Sequence, residues 1–125
     1  MKLLISGTRK ATHKNDYEKL KSAIETHYPN VTQILHGGAM GVDTLAGIYA
    51  AEKGLPTKVI KPDYKKHAGK IAPLVRNTKL VELADVVLCY YLETKTGGTA
   101  DTARKTRTAK KPLIEVLETN SPTLF

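Results

Sequence analysis

Apolar, often β-branched residues recur along the chain in five short runs, and the stretches between them have helical spacing. Each run is bounded by Gly, Pro, Asp or Asn, which is typical of buried strands. The runs are Leu3–Ile5, Val31–Leu35, Thr57–Ile60, Val86–Tyr91 and Leu113–Val116. Strands and helices therefore alternate, which predicts a parallel sheet, because right-handed crossovers place a helix between successive strands.

The first two helices have the clearest start and stop signals. The second has apolar residues at i, i+3, i+4, i+7 and i+8 from Val42 to Ala50 and ends at Gly54, a residue suited to a left-handed helix end. The first is expected to begin at Asn15 or Asp16, either of which can cap exposed amides, and to end before Pro29. Its buried face is predicted to carry Tyr17, Leu20, Ile24 and Tyr28.

The third and fourth helices have weaker patterns. The third is predicted to begin near Pro73, which is tolerated in a first helical turn, and the fourth to run from about Thr99 to Thr108. The inward positions are predicted to be Leu74, Val75, Thr78 and Val81 in the third helix, and Ala100 and Ala103 in the fourth. The last eight residues show no periodicity.

These elements predict an α/β fold: a single Rossmann-like, doubly wound, parallel five-stranded sheet with helices on both faces. The length of 125 residues fits one domain. We assign the domain to residues 1–117 and a C-terminal tail to residues 118–125. Ligands of such folds bind beyond the carboxyl ends of the strands, so the strand-to-helix loops are the place to search for function.

Composition narrows the class of protein. No apolar run approaches the roughly 20 residues of a membrane helix, and the polar start favours a soluble, cytoplasmic protein. The formal net charge of +8 attracts polyanions, although the lysines form no dense block. The only cysteine, Cys89, lies in an apolar run and is expected to pack in the core. The four histidines have no metal-ligand spacing, so neither a metal nor a cofactor is predicted.

Three strand-to-helix loops are rich in glycine and hydroxyl residues. Glycine lets backbone amides approach an anion closely, and a helix N-terminus has partial positive charge. Three such loops at equivalent topological positions favour a phosphate-binding site over purely structural turns. The residues predicted to surround the phosphates and ribose are Gly7, Thr8, Arg9, Gly37, Gly38, Gly41, Asp43, Arg76, Asn77, Gly97, Gly98 and Thr99.

Five short motifs, taken in order, resemble the SLOG superfamily, in particular its small DUF2493 or YspA-like members. The motifs are Gly7-Thr8-Arg9, Gly38-Ala39-Met40-Gly41-Val42-Asp43, Arg76-Asn77, Ala84-Asp85 and Gly97-Gly98-Thr99, and the resemblance spans about residues 3 to 116. The second motif also resembles the glycine loop of DNA-processing protein A, and the layout resembles the Lonely Guy hydrolases. The resemblance implies a Rossmann-like fold with a site for nucleotides or nucleotide-derived ligands.

The resemblance to the Lonely Guy family leaves catalysis open. Those enzymes cleave the N-glycosidic bond of nucleoside 5′-monophosphates with an Arg, for which Arg76 can stand, and a Glu in a P-G-G-x-G-T-x-x-E loop. Aligning Gly98-Thr99 with the G-T of that loop puts Thr102 at the acidic position. Asp101, one residue earlier, and Asp43 are the remaining acidic candidates, although either can be a first-turn acid that only stabilises its helix.

Three functions therefore remain after sequence analysis. The first is binding of a nucleotide or an ADP-ribose-like small molecule, and the second is nucleoside monophosphate phosphoribohydrolase activity through Arg76 with Asp101 or Asp43. The third is single-stranded DNA binding, which the positive charge permits. Related folds commonly dimerise through helices, so a homodimer or a higher homo-oligomer is expected. Of the paired tyrosines Tyr90 and Tyr91, one ring is expected to pack inward and the other to be available for stacking on a base.

Overall fold

The computed structural model describes residues 1–119 and contains nine regular elements in that range. Their order along the chain is β1 (Lys2–Gly7), α1 (His13–His27), β2 (Gln33–His36), α2 (Val42–Lys53), β3 (Thr57–Val59), α3 (Ile71–Leu83), β4 (Val86–Leu92), α4 (Gly97–Thr108) and β5 (Leu113–Glu118). The five strands form one sheet in the order β3-β2-β1-β4-β5, and every pair is parallel. The predicted fold class is confirmed.

Helices cover both faces of the sheet because side chains along each strand alternate between them. Leu3 and Ile5 of β1 pack in the layer formed with α1 and α2. Leu4, between them, packs on the opposite face with residues of α3 and α4. The chain winds outward from β1 through β2 to β3 and then returns to β4 on the other side, so the switch in winding direction falls between β1 and β4.

The buried faces of the first two helices agree with the sequence pattern. All four predicted residues of α1 and all five periodic positions of α2 are buried. The predicted start of α1 at Asn15 or Asp16 is wrong, because Thr12 is the N-cap and its hydroxyl accepts from the Asn15 amide at 3.2 Å. The carboxylate of Asp16 accepts a hydrogen bond from the Thr12 amide at 2.8 Å, so Thr12 and Asp16 each satisfy an amide at the start of this helix.

The third helix differs most from the prediction. It begins at Ile71 rather than near Pro73. Leu74, expected to face inward, is 42% exposed, and Thr78 is also exposed. The buried face carries Ala72, Asn77, Leu80 and Val81, so the prediction is confirmed for Val81, while Val75 is half-buried. The prediction assumed that the larger apolar residues form the buried face, whereas Leu74 lies toward the open carboxyl edge of the sheet.

The two edge strands also depart from their predicted character. All three residues of β3 are exposed, so the expectation of a strand covered on both faces is wrong for this edge. The fifth strand extends through Glu118, which the sequence had assigned to the C-terminal tail. Residues 120–125 of that predicted tail lie outside the described range. Smaller differences, of one to two residues at strand and helix ends, include α4, which begins at Gly97 rather than at Thr99.

Candidate functional site: a cavity at the switch point

A cavity of about 660 Å³ opens at the carboxyl edge of the sheet, where the loops that follow β1 and β4 diverge. We call it the carboxyl-edge cavity. Its walls are residues 6–10 after β1, residues 91–94 and 96–99 around the β4–α4 loop, residues 70, 73, 74, 76 and 77 of α3 and the turn before it, and residues 39 and 43 at the start of α2. Neighbouring loops diverge at a switch point, and the space between them forms the cavity.

Basic side chains outnumber acidic ones in the cavity wall. Arg9, Lys10, Lys70 and Arg76 are basic, and Asp43 and Glu93 are acidic. In the described part of the chain, the side chains of Arg9, Lys10 and Lys70 have no hydrogen bond or ion pair to a protein group. Cations without protein partners in a concave site favour an anionic guest.

The glycine loop between β2 and α2 already contains an anion of its own. Asp43, 7% exposed, accepts hydrogen bonds from the amides of Gly37 and Ala39, each at 3.1 Å. The Gly38 amide donates to Nδ1 of His36 at 3.0 Å. Because these three amides have protein acceptors, this loop has less capacity for a phosphate than its glycine content indicates.

The side chains that hold this loop are electrostatically perturbed. Burial raises the pKa of Asp43, and the Ala39 amide, His36 and Arg76 oppose that shift. Burial lowers the pKa of His36, with Asp43 opposing. A neutral imidazole is the form whose Nδ1 can accept from Gly38, so burial and the hydrogen bond favour the same protonation state.

Gly41 lets the first two loops make contact. Its φ is +77°, and a Cβ at this position would lie 2.6 Å from the Cα of Arg9. The next amide, that of Val42, donates to the carbonyl of Thr8 at 3.0 Å. Gly7 is similarly crowded, since a Cβ there would lie 2.6 Å from that of Val42. These glycines are required by packing, and they hold the β1 loop, with Arg9, beside the start of α2.

Arg76 and Asn77 connect the second and third loops. Arg76 donates from Nη1 to the carbonyl of Gly37 at 2.7 Å and from Nε to Oδ1 of Asn77 at 2.8 Å. Asn77 then donates from Nδ2 to the carbonyl of Gly98 at 3.3 Å and to Oδ2 of Asp101 at 3.2 Å. Burial lowers the pKa of Arg76, and Asp43 opposes that shift. Arg76 and Asn77 therefore hold together two glycine loops that lie far apart in the sequence.

The start of α4 forms part of the cavity wall. Thr96, at the N-cap, makes no side-chain capping bond, so the first amides of the helix have no side-chain acceptor there. A Cβ added to Gly98 would meet nothing within 4 Å. This glycine is not required by packing with neighbouring atoms, and the space above it belongs to the cavity. An anion at this point would lie at the positive end of the helix dipole.

Asp101 lies behind this turn and does not line the cavity. It is 8% exposed, accepts from Asn77, and forms ion pairs with Arg104 and with Lys105, the latter at 2.8 Å. Burial alone would raise its pKa, but the hydrogen bonds from Lys105 and Asn77, together with nearby Arg104, lower it below the usual value. These contacts keep the carboxylate ionised and engaged with its neighbours.

The structure divides the predicted site residues into two groups. Those that line the cavity are Gly7, Thr8, Arg9, Asp43, Arg76, Asn77, Gly97, Gly98 and Thr99. Those that do not line it are Gly37, Gly38, Gly41 and Asp101. The second group supports the wall from behind through the hydrogen bonds and close contacts described above.

Sequence reasoning missed three charged residues of the cavity wall, Lys10, Lys70 and Glu93. Lys10 follows the first motif directly and had a positional signal, whereas Lys70 and Glu93 had none. The expectation that one of two adjacent tyrosines is available for stacking is wrong, because Tyr90 and Tyr91 are 0% and 2% exposed. Their hydroxyls donate to Asp16 and Glu115, each at 2.8 Å, on opposite faces of the sheet.

Within residues 1–119, no three His, Cys, Asp or Glu side chains are grouped so that they could hold a metal ion. The same range contains no helix that is long and apolar enough to span a membrane. Cys89 is fully buried, and burial raises the pKa of its thiol to about 12.

The fold and the cavity at its switch point define a Rossmann-like α/β domain. Residues 1–67 match the model of the family described as YspA, cpYpsA-related SLOG. This is more than half of the 125 residues, and the chain belongs to that family. The matched range includes the first two glycine loops and ends before Arg76 and the third loop.

Among solved structures, the chain is similar to DNA processing protein A from Streptococcus pneumoniae, with a TM-score of 0.54 and 15% sequence identity. The similarity covers 92% of this chain and 58% of that chain, so this chain spans less than two thirds of that protein's length. At this identity the likeness establishes the fold alone. No curated protein matches the chain.

Proposed function

We propose that this domain binds a nucleotide or a nucleotide-derived phosphorylated ligand in the carboxyl-edge cavity, with a phosphate at the N-terminus of α4. The observation that carries the proposal is the open, uncapped turn at Gly97 and Gly98, which shares its cavity with Arg9 and Lys70, two cations whose side chains have no partner within residues 1–119. Backbone amides, a helix dipole and free cations are the three features that proteins combine to bind phosphate.

The size of the cavity supports a ligand larger than inorganic phosphate. Pockets for small molecules and cofactors commonly have volumes of roughly 300 to 1,000 Å³. The carboxyl-edge cavity, at about 660 Å³, lies inside that range. Its wall also contains the hydroxyl groups of Ser6, Thr8, Thr94 and Thr96, which suit the polar edges of a sugar or a base.

Calorimetric titration with AMP, ADP-ribose and cyclic nucleotides tests this proposal. We expect at least one of these ligands to bind, and we expect Arg9→Ala to weaken binding by about tenfold, because a hydrogen bond to a charged group is lost. Lys14→Ala is the matched control, since it removes the same charge from an exposed position outside the cavity. Failure of every ligand to bind would reject the proposal.

A second candidate is N-glycosidic cleavage of a nucleoside monophosphate, with Asp43 as the acidic group. The observation in its favour is a buried carboxyl with a raised pKa in the cavity wall, close to Arg76. Release of free base from AMP, lost in Asp43→Asn, would support this activity. Asp101→Asn is the comparison, since its carboxylate lies outside the cavity and is engaged by Arg104 and Lys105. Absence of base release across a nucleotide panel would reject it.

A third candidate is binding of single-stranded DNA. The segment between β3 and α3 contains Lys61, Lys65, Lys66 and Lys70 together with Tyr64, whose side chain is 60% exposed. Lysines beside an exposed aromatic ring match the backbone and stacking contacts that bind single strands. Binding of an oligonucleotide should weaken steeply with salt and should weaken further in Tyr64→Ala. An affinity that is independent of salt would reject this mode.

A further inference from the structure

A tight turn with unusual backbone geometry closes β4 at the switch point. The amide of Thr94 donates to the carbonyl of Leu92 at 2.8 Å, and Glu93, between them, has a φ of +70°. This is a γ-turn of the rare, strained form, in which a residue with a Cβ is disfavoured. The chain nevertheless has glutamate here, although glycine would relieve the strain.

The turn is fixed in position and forms part of the cavity wall. The amide of Glu93 donates to the carbonyl of Glu118 at 2.8 Å, which ties the turn to the end of β5. Glu93 itself lines the carboxyl-edge cavity. Strained backbone that persists because neighbouring contacts hold it is concentrated at ligand sites, so this turn is a candidate for direct contact with a ligand.

The two acidic residues of the cavity differ in what they bind. The carboxylate of Asp43 accepts from two backbone amides. The Glu93 side chain, by contrast, makes no hydrogen bond or ion pair with any group in residues 1–119. It is therefore the carboxylate of this cavity that is available to accept hydrogen bonds from a ligand.

We infer that Glu93 is a specificity-determining residue whose carboxylate accepts hydrogen bonds from hydroxyl or amino groups of a nucleotide, so that the cavity selects such ligands over bare phosphates. The inference rests on the proposed function. A carboxylate repels phosphate, whereas the cations Arg9 and Lys70 of the same cavity attract it. A cavity with both kinds of group suits a ligand that has an anion at one end and hydrogen-bond donors at the other. Inorganic pyrophosphate has the anion but few such donors.

Titrations of Glu93→Gln with AMP and with pyrophosphate test the inference. We expect AMP to bind about tenfold more weakly than to the wild type, and pyrophosphate to bind equally well or more tightly. Glu18→Gln, an exposed acid on α1 outside the cavity, is the control for the change in net charge. Unchanged AMP affinity in Glu93→Gln would overturn the inference alone. Absence of any nucleotide binding by the wild type would overturn the proposed function and this inference with it.

Two further ligands identify the donor. If Glu93 accepts from a ribose hydroxyl, the ratio of the AMP affinity to the 2′-deoxy-AMP affinity should be smaller in Glu93→Gln than in the wild type. If it accepts from the amino group of the base, the ratio of the AMP affinity to the IMP affinity should be smaller in this variant. Either result supports the inference, and unchanged preferences in both comparisons would overturn it.

A stability measurement separates ligand contact from a structural role. Glu93→Gly should raise the thermal midpoint by about 2–5 °C, because glycine tolerates the positive φ, while AMP affinity falls. Lys110→Gly is the matched control, since Lys110 has a φ of +57° at the end of α4, outside the cavity. It should raise the midpoint and leave AMP affinity unchanged. A Glu93→Gly protein that binds AMP as the wild type does would overturn the inference.

Discussion

Replacing Gly98 by aspartate tests whether the start of α4 is an anion site. A Cβ at Gly98 meets no atom within 4 Å beyond the adjoining backbone of its own helix, and the position opens into the cavity, so we expect it to accept a larger side chain. The new carboxylate would lie in the first turn of α4, where a negative charge stabilises a helix by roughly 0.3–1 kcal/mol. We therefore expect Gly98→Asp to fold and to be at least as stable as the wild type.

Ligand binding should respond in the opposite direction. The introduced carboxylate would occupy the region proposed for a phosphate, and two unit charges about 4 Å apart repel by about 4 kcal/mol at an effective dielectric constant of roughly 20. Water in the open cavity reduces that value, and we expect a loss of at least about a hundredfold in affinity, equivalent to about 2.8 kcal/mol. Gly98→Asn, of the same size without the charge, should lose much less.

Calorimetry with the phosphorylated ligand and thermal unfolding of the same three proteins provide the two measurements. The reasoning would be refuted if Gly98→Asp bound the ligand as tightly as the wild type while remaining folded. Equal losses in Gly98→Asp and Gly98→Asn would also refute the electrostatic argument, because they would show that space above Gly98, and not charge, controls binding.

Three other substitutions test contacts that stabilise the fold. Gly41→Ala should destabilise the fold by about 2–4 kcal/mol in urea titrations, because Gly41 has a positive φ and an added Cβ would overlap the backbone of Arg9. A loss below about 0.5 kcal/mol, roughly the range of neutral surface changes, would contradict the packing argument. Lys111→Met should cost about 1.5–3 kcal/mol, because its ammonium group donates to the carbonyls of Val81, Glu82 and Ala84 at the end of α3, at 2.7, 2.9 and 2.7 Å; equal stability of the variant would show that solvent replaces these bonds. Burial lowers the pKa of His36, so the unfolded chain binds a proton more readily than the folded chain. The free energy of unfolding should therefore fall as pH decreases below about 6.5. His36→Gln should weaken this pH dependence, and an unchanged dependence of the unfolding free energy on pH would show that other groups cause it.

The parts of the site that sequence reasoning identified are those with a local signal. Gly97, Gly98 and Arg9 were found because glycine and arginine follow predicted strands, and they line the cavity. The same reasoning included Gly41, whose role is to allow contact between two loops distant in sequence. It missed Glu93, because nothing in the local sequence indicates a positive φ at a residue with a Cβ.

The sequence by itself determined the class of fold, since alternating apolar runs and helical periodicity depend on neighbours along the chain. It also determined that three glycine loops lie at one edge of the sheet. Only the tertiary structure decided which of these loops has backbone amides that already donate to a side chain of the protein. In the β2–α2 loop, the carboxylate of Asp43 accepts from the amides of Gly37 and Ala39, whereas no side chain within residues 1–119 caps the first turn of α4. The physical reason is that a backbone amide donates one good hydrogen bond. Whether a side chain of the protein already accepts that bond depends on the backbone conformation of each loop, which the pattern of residue types does not specify.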